Sequence, residues 1–103
     1  MLHPRSCATT LAGLWLPLDE RRGSRHFHLR DGADVLLDPD GRQLASADAI
    51  SDATLLEARS IISHEALSGQ IKLDQHIDVE DGFRNIVHTL HFVDAVEIVQ
   101  PQP

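Results

Sequence analysis

Three Asp-Gly pairs constrain the fold of this chain more than any other feature, because each predicts a tight turn. They are Asp31-Gly32, Asp40-Gly41 and Asp81-Gly82. Glycine adopts the positive φ that such turns require, and aspartate hydrogen-bonds to the turn backbone. The segments beside the first and third pairs alternate apolar and polar residues, which is the period of a half-buried strand. The sequence therefore predicts two β-hairpins.

The first predicted strand covers residues 25–30 and carries two histidines. Phe27 and Leu29 alternate with His26 and His28, so the two pairs should lie on opposite faces of the strand. We expect the apolar pair to face the core and the imidazoles to be solvated on the outer face. A return strand follows at residues 35–37, before a second turn.

A helix is predicted between the two hairpins. Ser46 or Asp48 can cap its start, it should run to about Leu67, and Gly69 can supply a left-handed end. Its apolar residues fall on two stripes, of which one should meet the sheet. The first stripe comprises Ala49, Ala53, Leu56 and Leu67, and the second comprises Leu55, Ile62 and Ala66. The second stripe faces the N-terminal segment, a partner subunit or solvent.

The second hairpin completes the predicted fold. Ile77 and Val79 alternate before the third Asp-Gly pair, and the same period restarts at Ile86, Leu90 and Phe92; Val96 and Ile98 are expected to close the core. The order is β-β-α-β-β. It predicts an α+β fold in two layers, with one helix packed on a three- or four-stranded, mostly antiparallel sheet.

The 103 residues fit one domain. Residues 1–23 show no strand or helix period, so we predict a poorly ordered N-terminal extension there, a single domain over 24–99 and a C-terminal tail over 100–103. The apolar run over residues 8–18 lacks a small-residue cleavage site after it. It is also shorter than the ~20 residues of a membrane-spanning helix. We therefore expect neither export nor a membrane anchor.

Charge and cysteine content narrow the class of partner. Asp and Glu total 16 against 9 Lys and Arg, a formal charge of −7. Such a chain lacks the electrostatic attraction to phosphate backbones, so no nucleic-acid binding is expected and a basic partner is favoured. Cys7 is the single cysteine. No internal disulfide can form, which favours a reducing compartment and a cytoplasmic location.

Metal binding is the sharpest chemical hypothesis that the residues allow. His26 and His28 share a strand face and can point two imidazoles at one ion. His91 lies in the outward register of the last strand and would supply a third ligand if the first and last strands were neighbours. We favour the alternative that these imidazoles are solvated, and we expect no metal and no cofactor. His88 shares the apolar register, so its ring should pack at the sheet margin.

No catalytic motif is assembled. The chain has no Gly-x-Ser-x-Gly nucleophile and no phosphate-binding glycine loop. The turn at residues 38–41 places Leu36 and Ala47 where a calcium loop needs carboxylates. Glu80 and Asp81 lie in an exposed turn, where nothing is expected to raise a carboxyl pKa for acid catalysis. We therefore expect a protein that is not an enzyme.

An ordered set of short segments resembles a known family over residues 24–99. The segments are Phe27–Gly32, Asp40-Gly41 before an alanine-rich helix, Ile77–Val79 with Asp81, Thr89-Leu90, Phe92, and Asp94–Ile98. Together they are similar to short bacterial proteins described as domain of unknown function 6894. His26, His88 and His91 depart from the residues usual there. The resemblance implies a fold, and it implies no activity, cofactor or partner.

Three functional hypotheses remain open. The first is a small acidic protein-interaction module that also associates with itself, since short marginal strands expose backbone groups and Lys72 is the only lysine. The second is an antitoxin-like binder of a basic partner protein. The third is a histidine-based divalent metal binder.

Overall fold

The computed structural model describes residues 18–102, which form strands and one long helix in the predicted order. The elements are α1 (Leu18–Gly23), β1 (Ser24–Asp31), β2 (Asp34–Leu36), β3 (Arg42–Gln43), α2 (Ala47–Leu67), β4 (His76–Asp81), β5 (Ile86–His91) and a 3₁₀ turn (Phe92–Asp94). The predicted α+β class, with one main helix and a mostly antiparallel sheet, is confirmed.

The sheet is built around β1, its longest strand. The strand order is β2-β1-β4-β5, and all pairs are antiparallel. The two-residue β3 pairs with Ser24 and Arg25, on the same edge of β1 that β2 occupies at Leu29–Asp31. The sheet therefore has five strands where three or four were predicted, because the chain returns briefly to the edge of β1 after the turn that follows β2.

Helix α2 has the predicted ends. The Ser46 hydroxyl accepts a hydrogen bond from the Ala49 N–H at 3.0 Å, which caps the start. Gly69, at φ +87°, follows the last helical turn and allows the chain to leave it. Both helix ends could be predicted from the sequence, because the Ser46 cap and the glycine at the end each act on neighbouring residues of the chain.

The predicted apolar stripes of α2 were wrong. The buried residues recur every four positions and are Ile50, Thr54, Ala58 and Ile62. Leu56 and Leu67 are instead 68% and 84% exposed. The stripe was missed because it contains a threonine, whose hydroxyl donates to the Ile50 carbonyl at 2.6 Å. With its polar atom bonded inside the helix, Thr54 packs like an aliphatic residue.

The core lies between α2 and one face of the sheet. Its largest fully buried side chains include Phe92, Ile77 and Val79. Phe92 belongs to the 3₁₀ turn after β5, so the strand ends one residue earlier than its alternation suggests. Val96 packs against the core as predicted, but Ile98 is 58% exposed. The prediction that Ile98 helps to close the core was therefore wrong.

A β-bulge changes the register of the second hairpin. Val79 lies opposite His88, whereas the next residue, Glu80, lies opposite Ile86. Val87 is the extra residue, so Ile86 is on the opposite face from His88 and does not share the register of the later strand residues. His88 lies opposite Val79 on the helix side of the sheet and is half-buried, as its alternation with Leu90 predicts.

The last part of the predicted N-terminal extension is helical and contacts the domain. The carbonyl of Arg21 in α1 accepts a hydrogen bond from the Gly82 N–H at 3.1 Å, and that of Gly23 accepts one from the Leu44 N–H at 2.8 Å. Residues 1–17, which include Cys7, lie outside the described residues, so the poor order expected there stays a prediction. Between residues 18 and 102 no helix is long and apolar enough to cross a membrane.

Candidate functional site

The two faces of the sheet differ sharply in chemistry. The face toward α2 carries Phe27, Leu29, Ile77, Val79, His88 and Leu90. The opposite face carries the polar members of each strand, which are His26, His28, Arg30, His76, Asp78, Glu80, Thr89 and His91. The predicted alternation along β1 is confirmed.

Both histidines of β1 bind the backbone of Asp38. The Asp38 carbonyl accepts from His26 Nδ1–H at 2.8 Å, and the Asp38 N–H donates to His28 Nδ1 at 3.1 Å. A carbonyl can only accept and an N–H can only donate, so these partners fix the two ring tautomers. His28 then carries its proton on Nε2, 3.5 Å from a Glu80 carboxylate oxygen. His28 is buried, so the prediction that it is a solvated imidazole was wrong.

The Asp38 carboxylate completes this arrangement. Its Oδ2 accepts from the Phe27 N–H and its Oδ1 from the Gly41 N–H, both at 3.1 Å. We call residues 37–41 the Asp38 turn. It fills the gap between β2 and β3 along β1, and it gives the Phe27 N–H the partner that a continuous strand would have supplied.

The three predicted histidine candidates do not meet. His91 pairs with His76 of β4, and β4 separates β5 from β1. The condition for a third ligand to His26 and His28 is therefore not met. The rings of His26 and His28 stack at 6.2 Å, but the Nδ1 atom of each is bound to Asp38. In residues 18–102 no group of three or more His, Cys, Asp or Glu is arranged to hold a metal ion.

Asp78 is the buried charge of the polar face. Its Oδ1 accepts from the Thr89 hydroxyl at 2.8 Å, and its Oδ2 accepts from Arg30 Nε. Burial raises the pKa of Asp78, but the hydrogen bonds from Thr89 and Arg30, together with the nearby charges of His76 and Arg30, lower it by more, so the net pKa lies below its usual value. An aspartate held ionised in this way is unsuited to donate a proton in catalysis.

Asp81, the last residue of β4, has a structural role. Its Oδ1 accepts from the N–H groups of Phe83 and Asn85 at 2.8 and 2.9 Å. Burial raises the pKa of Asp81, but these backbone hydrogen bonds, together with the Asn85 side chain and the charge of Arg25, lower it by more, so the net pKa is below the usual value. The carboxylate closes the hairpin turn, and its net pKa is not raised toward the range that acid catalysis needs.

The helix side of the sheet contains an open cleft that the sequence analysis missed. This β2 cleft has a volume of about 480 Å³ and lies between α2 and the β2 edge; it is lined by Phe27, Leu29, Leu36, Leu37, Asp38, Pro39, Arg42, Glu57, Ile61 and Ile77. Arg42 and Glu57 pair at 2.9 Å, and the Arg42 guanidinium lies 4.4 Å from the centre of the Phe27 ring. The available signal was the apolar run at residues 35–37 beside an edge strand.

The fold and these contacts define a small α+β domain whose polar groups mostly support its own turns and strands. Residues 26–93, more than half of the chain, match the family described as domain of unknown function (DUF6894). The chain belongs to this family, as the resemblance of its segments indicated. No curated protein and no solved structure matches the chain.

Proposed function

We propose that this domain is a non-enzymatic protein-binding module whose β2 cleft takes an extended apolar segment of a basic partner protein. The observation that carries the proposal is the position of the cleft beside an exposed strand edge. Leu36 and Leu37 are 68% and 64% exposed at its wall. Exposed leucines that border an apolar cleft are typical of interaction sites.

The edge of β2 supplies the backbone part of such a site. Within residues 18–102, β2 is the last strand on its side of the sheet and pairs only with β1. A partner segment can add there as a further strand, with main-chain hydrogen bonds providing affinity. Alternate side chains of that segment would then enter the cleft, where Phe27 and Ile61 supply apolar contacts.

Charge favours a basic partner. The chain carries a formal charge of −7, and the segments that border the cleft contain Asp31, Asp34 and Asp40. Arg42, the basic residue in the cleft lining, pairs with Glu57, and Lys72 pairs with Asp31 at 3.3 Å. The electrostatic potential of the acidic surface would therefore attract a basic segment and raise its association rate.

The proposal includes the antitoxin-like hypothesis, in which the basic partner is a toxin. We keep a cytoplasmic location and the absence of nucleic-acid binding as parts of it, because a single cysteine and an acidic charge support them. The metal-binding hypothesis is not proposed, because His26 and His28 hold the Asp38 turn.

A peptide-binding experiment tests the proposal. Fluorescently labelled peptides with alternating apolar residues are prepared in two forms, one with lysine and one with glutamate between the apolar positions. Anisotropy should show binding of the lysine form only. Leu36→Asp should weaken it at least tenfold, because it replaces an apolar side chain of the cleft wall with a carboxylate that an apolar residue of the peptide would have to desolvate.

Leu67→Asp is the matched control, since Leu67 is exposed at the far end of α2 and does not line the cleft. It should leave the affinity unchanged. Equal binding of the glutamate peptide would contradict the charge argument. An equal loss in both variants would contradict the assignment to the cleft.

A further inference from the structure

The edge opposite the β2 cleft is an uncharged strand. β5 forms the other margin of the sheet and, among residues 18–102, pairs with β4 alone. Its outer backbone N–H and C=O groups therefore face away from the sheet. Residues 85–93 contain no Asp, Glu, Lys or Arg. Ile86 and Val87 of this strand are 54% and 44% exposed, and Val93, in the 3₁₀ turn that follows, is 58% exposed.

Edge strands are usually protected by charge, proline or short length. β2 is three residues long and begins at Asp34, whose charge disfavours a second acidic copy at that edge but not a basic segment. β5 is six residues long and has only the bulge at Val87. Beyond the bulge, residues 88–91 form an uninterrupted and uncharged ladder edge.

The charge of the chain indicates what this edge pairs with. Two copies that each carry −7 repel one another. They can approach without placing acidic groups together only through a surface free of them, which residues 85–93 provide. A basic partner would gain no electrostatic attraction at the same edge. The favoured occupant is therefore a second copy of this chain.

We infer that the protein forms a two-fold symmetric dimer in which β5 pairs antiparallel with β5 of a second copy. A two-fold axis makes the contact isologous, so each copy offers the same strand. With the axis at Thr89, Thr89 lies opposite Thr89 and His88 lies opposite Leu90. Each pair joins residues of the same sheet face, so the two sheets continue as one and the apolar faces stay on the same side.

This arrangement leaves both β2 clefts at the outer ends of the joined sheet. Dimerisation and partner binding would then use opposite edges of each copy, and neither depends on the other. The dimer is expected to be weak, because a four-residue ladder lies at the low end of interface sizes.

Sedimentation of the full chain from micromolar to millimolar concentration tests the inference. The wild type should shift from a species of 11.4 kDa toward twice that mass. Val87→Lys should weaken association at least tenfold, because lysine on an edge blocks strand pairing. Val35→Lys is the matched control on the β2 edge, where Val35 has a similar exposure of 42%. It should associate as the wild type does.

Circular dichroism and thermal unfolding establish that each variant is folded. If Val87→Lys unfolds, Ile86→Lys replaces it, since Ile86 is also exposed on this margin. A wild type that stays monomeric throughout would overturn the inference. So would a dimer that persists in the folded β5 variant, or one that Val35→Lys disrupts. Peptide binding by the β5 variant should be unchanged, so failure of the dimer and failure of the cleft are distinguishable.

Discussion

His28 Nδ1 accepts a hydrogen bond from the backbone N–H of Asp38 at 3.1 Å, and this contact joins the middle of β1 to the turn that walls the β2 cleft. The two residues are ten positions apart, on either side of β2. His28 is 7% exposed, so water does not readily replace the ring as an acceptor. The imidazole is therefore a positioning group for the cleft.

His28→Ala should lower the free energy of unfolding by about 1–3 kcal/mol, because it removes a buried ring and leaves the half-buried Asp38 N–H without its acceptor. His91→Ala is the matched control, since His91 is exposed on β5 and should cost less than about 0.5 kcal/mol. Urea unfolding measures both. Equal costs would show that the Asp38 contact does not stabilise the fold.

Gly41→Ala should destabilise the protein more than Gly32→Ala. Both glycines have positive φ, +67° and +62°, so both substitutions strain the backbone by about 1 kcal/mol. At Gly41 the added Cβ would also lie 2.8 Å from the Arg25 carbonyl oxygen and 2.9 Å from the His26 ring, whereas at Gly32 it meets nothing within 4 Å. The difference between the two unfolding free energies isolates the close packing of the Asp38 turn. Similar costs would mean that the turn moves aside.

Stability should fall in acid as Asp78 and Asp81 become protonated. Both have folded-state pKa values below the usual one, so the unfolded chain binds protons first. Their contribution is fully present above the unfolded pKa of about 3.9 and is lost as the pH falls through the lower folded value. The free energy of unfolding, measured between neutral pH and strong acid, should show this loss.

Asp78→Asn should flatten the acid limb of that profile, because it removes one of the two titrating groups. Thr89→Val should flatten it in part, since it removes the hydroxyl that donates to Asp78 at 2.8 Å. An acid limb as steep in both variants as in the wild type would show that Asp78 does not cause the loss.

The elements that the sequence predicted are those whose signals are local. The Asp-Gly turns and the Ser46 cap act within four residues, so the ends of α2 and both hairpins could be located. The contact of His28 with Asp38 could not, because it depends on how β2 and β3 share one edge of β1. The separation of His91 from β1 likewise depends on strand order, which alternation along a strand does not encode.

The buried stripe of α2 was not recognised in the sequence because Thr54 is a polar residue type. Two substitutions of Thr54 are expected to change the free energy of unfolding differently. Thr54 is fully buried and its hydroxyl donates to the Ile50 carbonyl, which the helix backbone also engages. Thr54→Val keeps the shape and leaves that carbonyl its backbone partner, so the free energy of unfolding should stay within about 0.5 kcal/mol or rise. Thr54→Ser keeps the hydroxyl but removes a buried methyl group, which should cost about 1 kcal/mol. Thermal and urea unfolding of both variants measure the contrast. A larger cost for the valine variant would show that the hydroxyl, and not the methyl group, holds α2 against the sheet.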